Sequence, residues 1–554
     1  MEGGRLLLDF KSVKLSLYKA INDCSSRGLT QSTKWLSELN FAIKNVKVKC
    51  TQPYKIAVAE DELDDYYLAK SFFDAKEYDR CAFYASKNSS NVLKFLHYYS
   101  RYLSLERKKI DSLTELFSGP DPNSAGDLQQ LCKELRDLHI RGGMDAFCLY
   151  IFGVVLKRLD LLDEAMTVLA EAITAEPLNW AAWLELSMLV TDRSKARSLS
   201  LPNHWMKHFY LGRTYLDQQL HDKSLEIHYA LQTAGFNGST YILAQIAIAH
   251  HNKREVDEAI DTFTRLRKID PYRLDNIDVL SNLYYVKEKK TELTSLAHAA
   301  CEIDKYRVET CCVIGNYYSL RSDHQKAVLY FQRALRLNPQ YLAAWTLMGH
   351  EYMEMKNTNA AIQSYRQAIE VNRRDYRAWY GLGQTYEILK MPYYCLYYYK
   401  QAQLLRSNDS RMLVALGETY EKLEKFQEAL KCFYKARSVG DVEGSAILKL
   451  AKLFVRLMDT DQAATAFSEY VNENDNLAGE NKSELSQAHL YLANFHMNKN
   501  EIELAYQHAQ STLNFEETKE EGKALLKAIS QKRTVMDDLK QDMQVEDSDP
   551  NDTS

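Results

Sequence analysis

The chain has 554 residues, of which 46% are apolar, and its 20 Gly and 9 Pro fall well under the usual averages of about 7% and 5%, so helix should dominate. A charged fraction of 26%, a mean hydropathy of −0.42 and the lack of any run near the roughly 20 apolar residues that cross a bilayer exclude a membrane-spanning helix. Lys and Arg number 70 against 75 Asp and Glu, a net −5 that is not the footprint of a general nucleic-acid binder.

At the N-terminus, MEGGRLLLDFKSVKL has only a short apolar run after Arg5, too little for a secretory leader. The expected location is nucleus and cytoplasm. The 10 cysteines show no CxxC spacing and sit among apolar neighbours of helical period, the pattern of buried thiols in a reducing compartment.

A weak repeat copy begins at Ala69, with Phe72 and Cys81, and the polar stretch SGPDPNSAG (118–126) reads as a break. Gly153, Ala165, Ala172 and Pro177 form a better copy; a first helix around Trp183 follows and dissolves into a polar segment from Thr191 to Asn203. Gly212 with Tyr215, then Ala247 with Ala259, Phe263 and Pro271, then Ser281 with Tyr284 continue the series. From Gly315 the period is plain: Gly315, Gly349, Gly383 and Gly417 recur every 34 residues, each followed three residues on by Tyr318, Tyr352, Tyr386 or Tyr420. Phe331, Tyr365, Tyr399 and Phe433 hold one aromatic register, and Ala334, Ala368, Ala402 and Ala436 one small register. Ala451 and Ala493 head two more copies across a polar insertion at 472–483, for about eleven in all.

Residues at i, i+3, i+4 and i+7 share one helix face, as Trp345, Met348, Gly349 and Tyr352 do, and the small residue lets a second helix approach. One such hairpin cannot bury its apolar face alone, so stacking is required. The fold class is all-α, a tetratricopeptide-repeat solenoid, expected as a right-handed superhelix of helix-turn-helix repeats. Residues 1–270 read as N-terminal repeats that make a dimer, 271–516 as repeats that carry a groove, 517–536 as a capping helix and 537–554 as a disordered acidic tail.

Catalytic signatures fail one by one. GLGQTY (381–386) lacks the third glycine of a dinucleotide fingerprint and lies within a helix; His350-Glu351 lacks the second histidine of a zinc-protease helix. His250 and His251 read as packed or exposed, not as ligands, and Cys311 and Cys312 point to different helix faces. The tyrosine-rich run 393–400 contains the core aromatic Tyr399 and reads as packing, not base stacking. No enzymatic activity, cofactor or metal site is expected. What remains is the face of the first helices that flanks the core stripe: Asn316, then His350 and Met353, then Tyr380, Gln384 and Glu387, then Glu418 and Glu421. An amide, aromatics and carboxylates in a row suit an extended peptide carrying one basic and one apolar residue.

The stretch AAWTLMGHEYMEMKNTNAAIQSYRQAIEVNRRDYRAWYGLGQTYEILKMPYYCLYYYKQAQLL and the segment YKIAVAEDELDDYYLAKSFFDAKEYDRCAFY from Tyr54 resemble the cell-division-cycle 23 family, subunit 8 of the anaphase-promoting complex. The resemblance covers all but the acidic tail. It implies a non-catalytic scaffold subunit of a cell-cycle ubiquitin ligase, homodimeric through its N-terminal repeats and stacked on other repeat subunits and small accessory chains. It further implies a C-terminal groove that receives a short basic-aromatic segment of a β-propeller coactivator, with Asn316 and the His350-Glu351 pair matched from motifs; Tyr380, Gln384 and Glu387 are added from groove geometry. No nucleic acid or membrane partner is implied. The alternative, a chaperone adaptor binding C-terminal peptides, needs basic residues beside its groove asparagines, where this chain has Cys312.

Overall fold

The computed structural model describes residues 8–48, 57–86, 89–114, 122–190, 199–441, 445–474, 482–515 and 518–546, and every regular element among them is helical. None of these helices is long and apolar enough to cross a membrane. The chain falls into two compact units, Met1–Lys289 and Lys290–Ser554, with the boundary inside the Ser281 copy.

In the second unit each copy is a pair of antiparallel helices, such as Val308–Leu320 with His324–Leu337 and Leu342–Glu354 with Thr358–Val371. The glycine of each first helix is a geometric requirement. A Cβ on Gly315, Gly349, Gly383 or Gly417 would stand 2.5, 2.5, 2.3 and 2.5 Å from the ring of Phe331, Tyr365, Tyr399 and Phe433 respectively. The ring therefore lies flat on bare backbone, and Ala327 and Ala334, or their counterparts, flank it fully buried. Tyr365 is also pressed from the next copy by Gly381, which explains both glycines of GLGQTY as packing positions.

Two further devices repeat with the period. Between the paired helices one residue adopts a left-handed conformation: Arg254, Glu288, Ser322, Lys356, Lys390, Glu424 and Met458, each 34 apart. The amide after it bonds back five residues, as Asp323 N–H does to Tyr318 O at 3.0 Å, the geometry of a Schellman cap. Between copies, the side chains of Asp270, Asp304, Asn338 and Asn372 each accept the N–H two residues on, closing the turn. The indoles of Trp345 and Trp379 then donate to Pro339 O and Arg373 O, both at 2.9 Å.

The first unit follows the same plan from Leu63–Asp74 onward, including a pair not read as a copy from sequence, Asn91–Thr114 and Pro122–Ile140. The second of these begins on Pro122 inside the expected break, where a residue without an amide hydrogen is tolerated at a helix start. An N-terminal hairpin, Phe10–Ser26 and Thr30–Ala42, does not extend the array; it lies across the repeats. Trp35 stacks on Trp180 at 4.2 Å and meets Phe209 and Tyr241 edge-on. Arg27 pairs with Asp145, Glu38 with Arg273 and Lys34 with Asp275. Buried Lys14 donates to Val46 O at 2.7 Å and Ile43 O at 3.3 Å, satisfying carbonyls at the end of the second helix.

At the other end the helix expected over 517–536 spans Lys519–Glu546, so part of the segment assigned to the tail is helical; residues 547–554 lie outside the described residues. The nine cysteines among the described residues are all free thiols, and seven are buried.

Candidate functional site

The face in question is built by the first helices of successive copies in the second unit: Val308–Leu320, Leu342–Glu354, Tyr376–Ile388, Ser410–Lys422 and Ser445–Arg456. Because the repeat is strict, each position relative to the glycine forms a column. One residue after it come Asn316, His350, Gln384, Glu418 and, after Ala451, Lys452; four after it come Ser319, Met353, Glu387, Glu421 and Val455.

The sequence-derived candidates divide on this frame. His350 and Gln384 are exposed, and Tyr380 and Glu387 are half-buried, so these four line an open strip. Asn316 is buried at 3% exposure and already has a partner. Glu351 is withdrawn as a groove residue. It is buried, and its carboxylate accepts from Ser319 Oγ at 2.7 Å and meets His324 Nδ1 at 2.8 Å. It lies two positions after the glycine, a column that turns toward the preceding copy: Thr385 and Thr419 hold it in the next two copies, both buried, and Thr385 Oγ1 meets Met353 Sδ at 3.1 Å. The buried threonines of that column were the available signal.

The carboxylates of the strip are not free. Glu387 accepts from Tyr399 Oη at 2.8 Å and pairs with Lys422; Glu418 pairs with Lys449 at 2.6 Å and Glu421 with Arg456 at 2.8 Å. Each pair joins one first helix to the next, so a lattice of ion pairs runs along the face and neutralises what the sequence alone shows as acidic. Burial, reinforced by Glu387, pushes the Tyr399 phenol far above its ordinary range, so it stays a donor. His350 Nδ1 faces Tyr365 Oη at 2.8 Å. Crowding by the surrounding helices lowers the His350 pKa to about 4, with Arg377 adding to the effect and Asp375 opposing it. Its exposed edge lets water work against that shift, and both influences leave the imidazole neutral at pH 7. Tyr380 packs on Tyr399 at 5.4 Å between centroids.

Further along, the face deepens into a cavity of about 640 Å³ between Glu418, Lys422, Lys449, Lys452, Arg456 and Tyr491. Lys449, Lys452 and Arg456 belong to the copy in which Ala451 replaces the marker glycine, so the glycine register alone does not bring them to this face. The arrangement places an exposed amide and imidazole, a phenol and helix-to-helix ion pairs side by side on one face.

Residues 12–247 match the family model described as anaphase promoting complex subunit 8 / Cdc23, and tetratricopeptide-repeat models match 308–341, 349–388, 410–437 and 445–476. The human cell division cycle protein 23 homolog is 52% identical over 300 residues, 53% of this chain and 50% of that protein. Anaphase-promoting complex subunit 8 of Dictyostelium discoideum is 39% identical over 348 residues, 52% of this chain and 59% of that protein. The chain thus spans about half the length of the curated relatives it matches. Among solved structures, a chain of the anaphase-promoting complex hetero-tetramer Cut9-Hcn1 superposes with a TM-score of 0.56 at 18% identity, covering 94% of this chain and 97% of that one, a likeness of fold.

Proposed function

We propose that the chain, whose residues 12–247 match the anaphase promoting complex subunit 8 / Cdc23 model, belongs to that family and acts as a non-catalytic scaffold subunit of that ubiquitin ligase. It packs against other repeat subunits and small accessory chains, forms a homodimer through residues 1–270, and receives an extended coactivator segment along the second unit. The observation that carries the groove reading is the open strip His350–Tyr380–Gln384 on rigid first helices. The exposed Gln384 amide and the neutral His350 ring can hydrogen-bond a peptide backbone, and Tyr380 can cover an apolar side chain. Glu387 can exchange Lys422 for an arginine, which offers two parallel donors where a lysine offers a point charge.

Affinity purification of the tagged full chain from dividing cells tests the scaffold reading. The other subunits of the complex should co-purify in fixed ratio; a chain recovered alone, or with chaperones as its only companions, argues for the adaptor reading. Light scattering on the purified chain checks the dimer.

A further inference from the structure

Away from the strip, the turn of the Ala247 copy gathers three ligand-type side chains. Helix Thr240–Lys253 carries His250 in its last turn, and helix Val256–Ile269 begins just after Glu255 and carries Glu258 in its first turn. The ring of His250 is buried, and its Nδ1 lies 2.6 Å from a Glu255 oxygen and 3.2 Å from a Glu258 oxygen. All three ligand atoms fall within 4.8 Å of one another. On its other side the ring is held by Tyr229, whose Oη lies 3.1 Å from Nε2. That second contact fixes which nitrogen faces the carboxylates, the role an outer partner plays for a metal-binding histidine. Lys253 occupies the other Glu255 oxygen at 2.8 Å and is tied in turn to Asp222 at 3.0 Å, so one carboxylate is oriented while the local charge stays negative.

A second copy provides an internal comparison. His496 stands in the same register after Ala493, and its Nδ1 meets Glu501 at 2.6 Å, as His250 meets Glu255. The histidine–glutamate contact across the turn is therefore a structural device of this repeat. The position of Glu258 is taken there by Leu504. Only the Ala247 copy adds a second carboxylate, one that is 68% exposed and for which the turn itself has no need.

We propose that His250, Glu255 and Glu258 form a binding site for a divalent zinc-like cation. A four-coordinate ion with bonds of about 2.0–2.2 Å separates its ligands by about 3.4 Å, so opening the two His250–carboxylate spacings by less than about 1 Å brings them to that separation. On binding, the cation takes the Nδ1 lone pair in place of a proton, the ring's single proton then sits on Nε2 and donates to Tyr229 Oη, and water completes the coordination on the exposed Glu258 side. Affinity should therefore weaken as the solution is acidified.

The test is a titration of the full chain with Zn²⁺ in competition with a chromophoric chelator. Wild type should take up one equivalent that Glu258→Gln and Glu258→Leu bind at least tenfold more weakly. The Glu501→Gln variant should titrate as wild type. Because the Glu258 side chain is mostly exposed, both substitutions should leave the melting curve in chelator unchanged, and zinc should raise the melting temperature of wild type more than theirs. Identical isotherms for wild type and both Glu258 variants would overturn the proposal.

Discussion

Ser319 donates a 2.7 Å hydrogen bond to Glu351 across the junction of two repeats, and His324 approaches the same carboxylate at 2.8 Å. A carboxylate at 5% exposure held by two partners is a joint between copies, not a hook for a ligand. Glu351→Ala should therefore destabilise the chain by about 1–3 kcal/mol, the cost of leaving buried polar partners unmet. Thermal melting of the variant checks this, and an unchanged melting temperature would return Glu351 to the list of peptide contacts.

Gly383 lies against the ring of Tyr399, with room for no further carbon. Gly383→Leu should cost about 1–3 kcal/mol or more through overpacking. The double variant Gly383→Ala, Tyr399→Leu should recover part of the loss seen in Gly383→Ala alone, since the clash is between those two residues. Denaturant midpoints of the four chains read out the coupling.

His228 occupies the aromatic register of its copy, filling the space over Gly212, and is fully buried. Burial lowers its pKa to about 4, opposed only by a bond to Ser224 O. An unfolded histidine titrates near 6.5, so between these values the unfolded chain binds a proton that the folded chain refuses. Stability from this residue is full above about pH 6.5 and is lost as pH falls toward 4, by about 3 kcal/mol in all at about 1.4 kcal/mol per unit. His228→Phe, which restores the ring type of the Gly315 and Gly417 copies, should fold and flatten this slope. Urea midpoints at pH 7.5 and pH 5 compare the two proteins.

The period of the second unit was legible because its packing requires it: a ring on a bare glycine tolerates few alternatives, so Gly349 and Tyr365 announce themselves. The left-handed turn residues did not. Arg254, Ser322 and Met458 share a backbone conformation and no chemistry, because the turn's cap is made by main-chain bonds. Trp35 is a similar case. Its partners Trp180, Phe209 and Tyr241 lie far along the chain, and no local pattern reports that the N-terminal hairpin folds back on them. At the candidate strip, His350 and Gln384 are exposed as their register predicts, whereas Asn316 in the same column is buried. Glu351 was misplaced because one residue along a helix turns a side chain by about 100°, from the open face to the neighbouring copy. The pairing of Glu387, Glu418 and Glu421 depends on residues one repeat ahead.

The most direct test of the groove is the affinity of a labelled peptide bearing the coactivator's basic-aromatic segment for three full-length chains: wild type, Glu351→Gln, and the double variant His350→Gln, Gln384→Ala. Removing two contacts worth together about 1.4 kcal/mol or more weakens binding at least tenfold, so the double variant should bind at least tenfold more weakly with its helical spectrum intact, and Glu351→Gln should bind as wild type. Equal affinity for wild type and the double variant, or a loss confined to Glu351→Gln, would contradict the account.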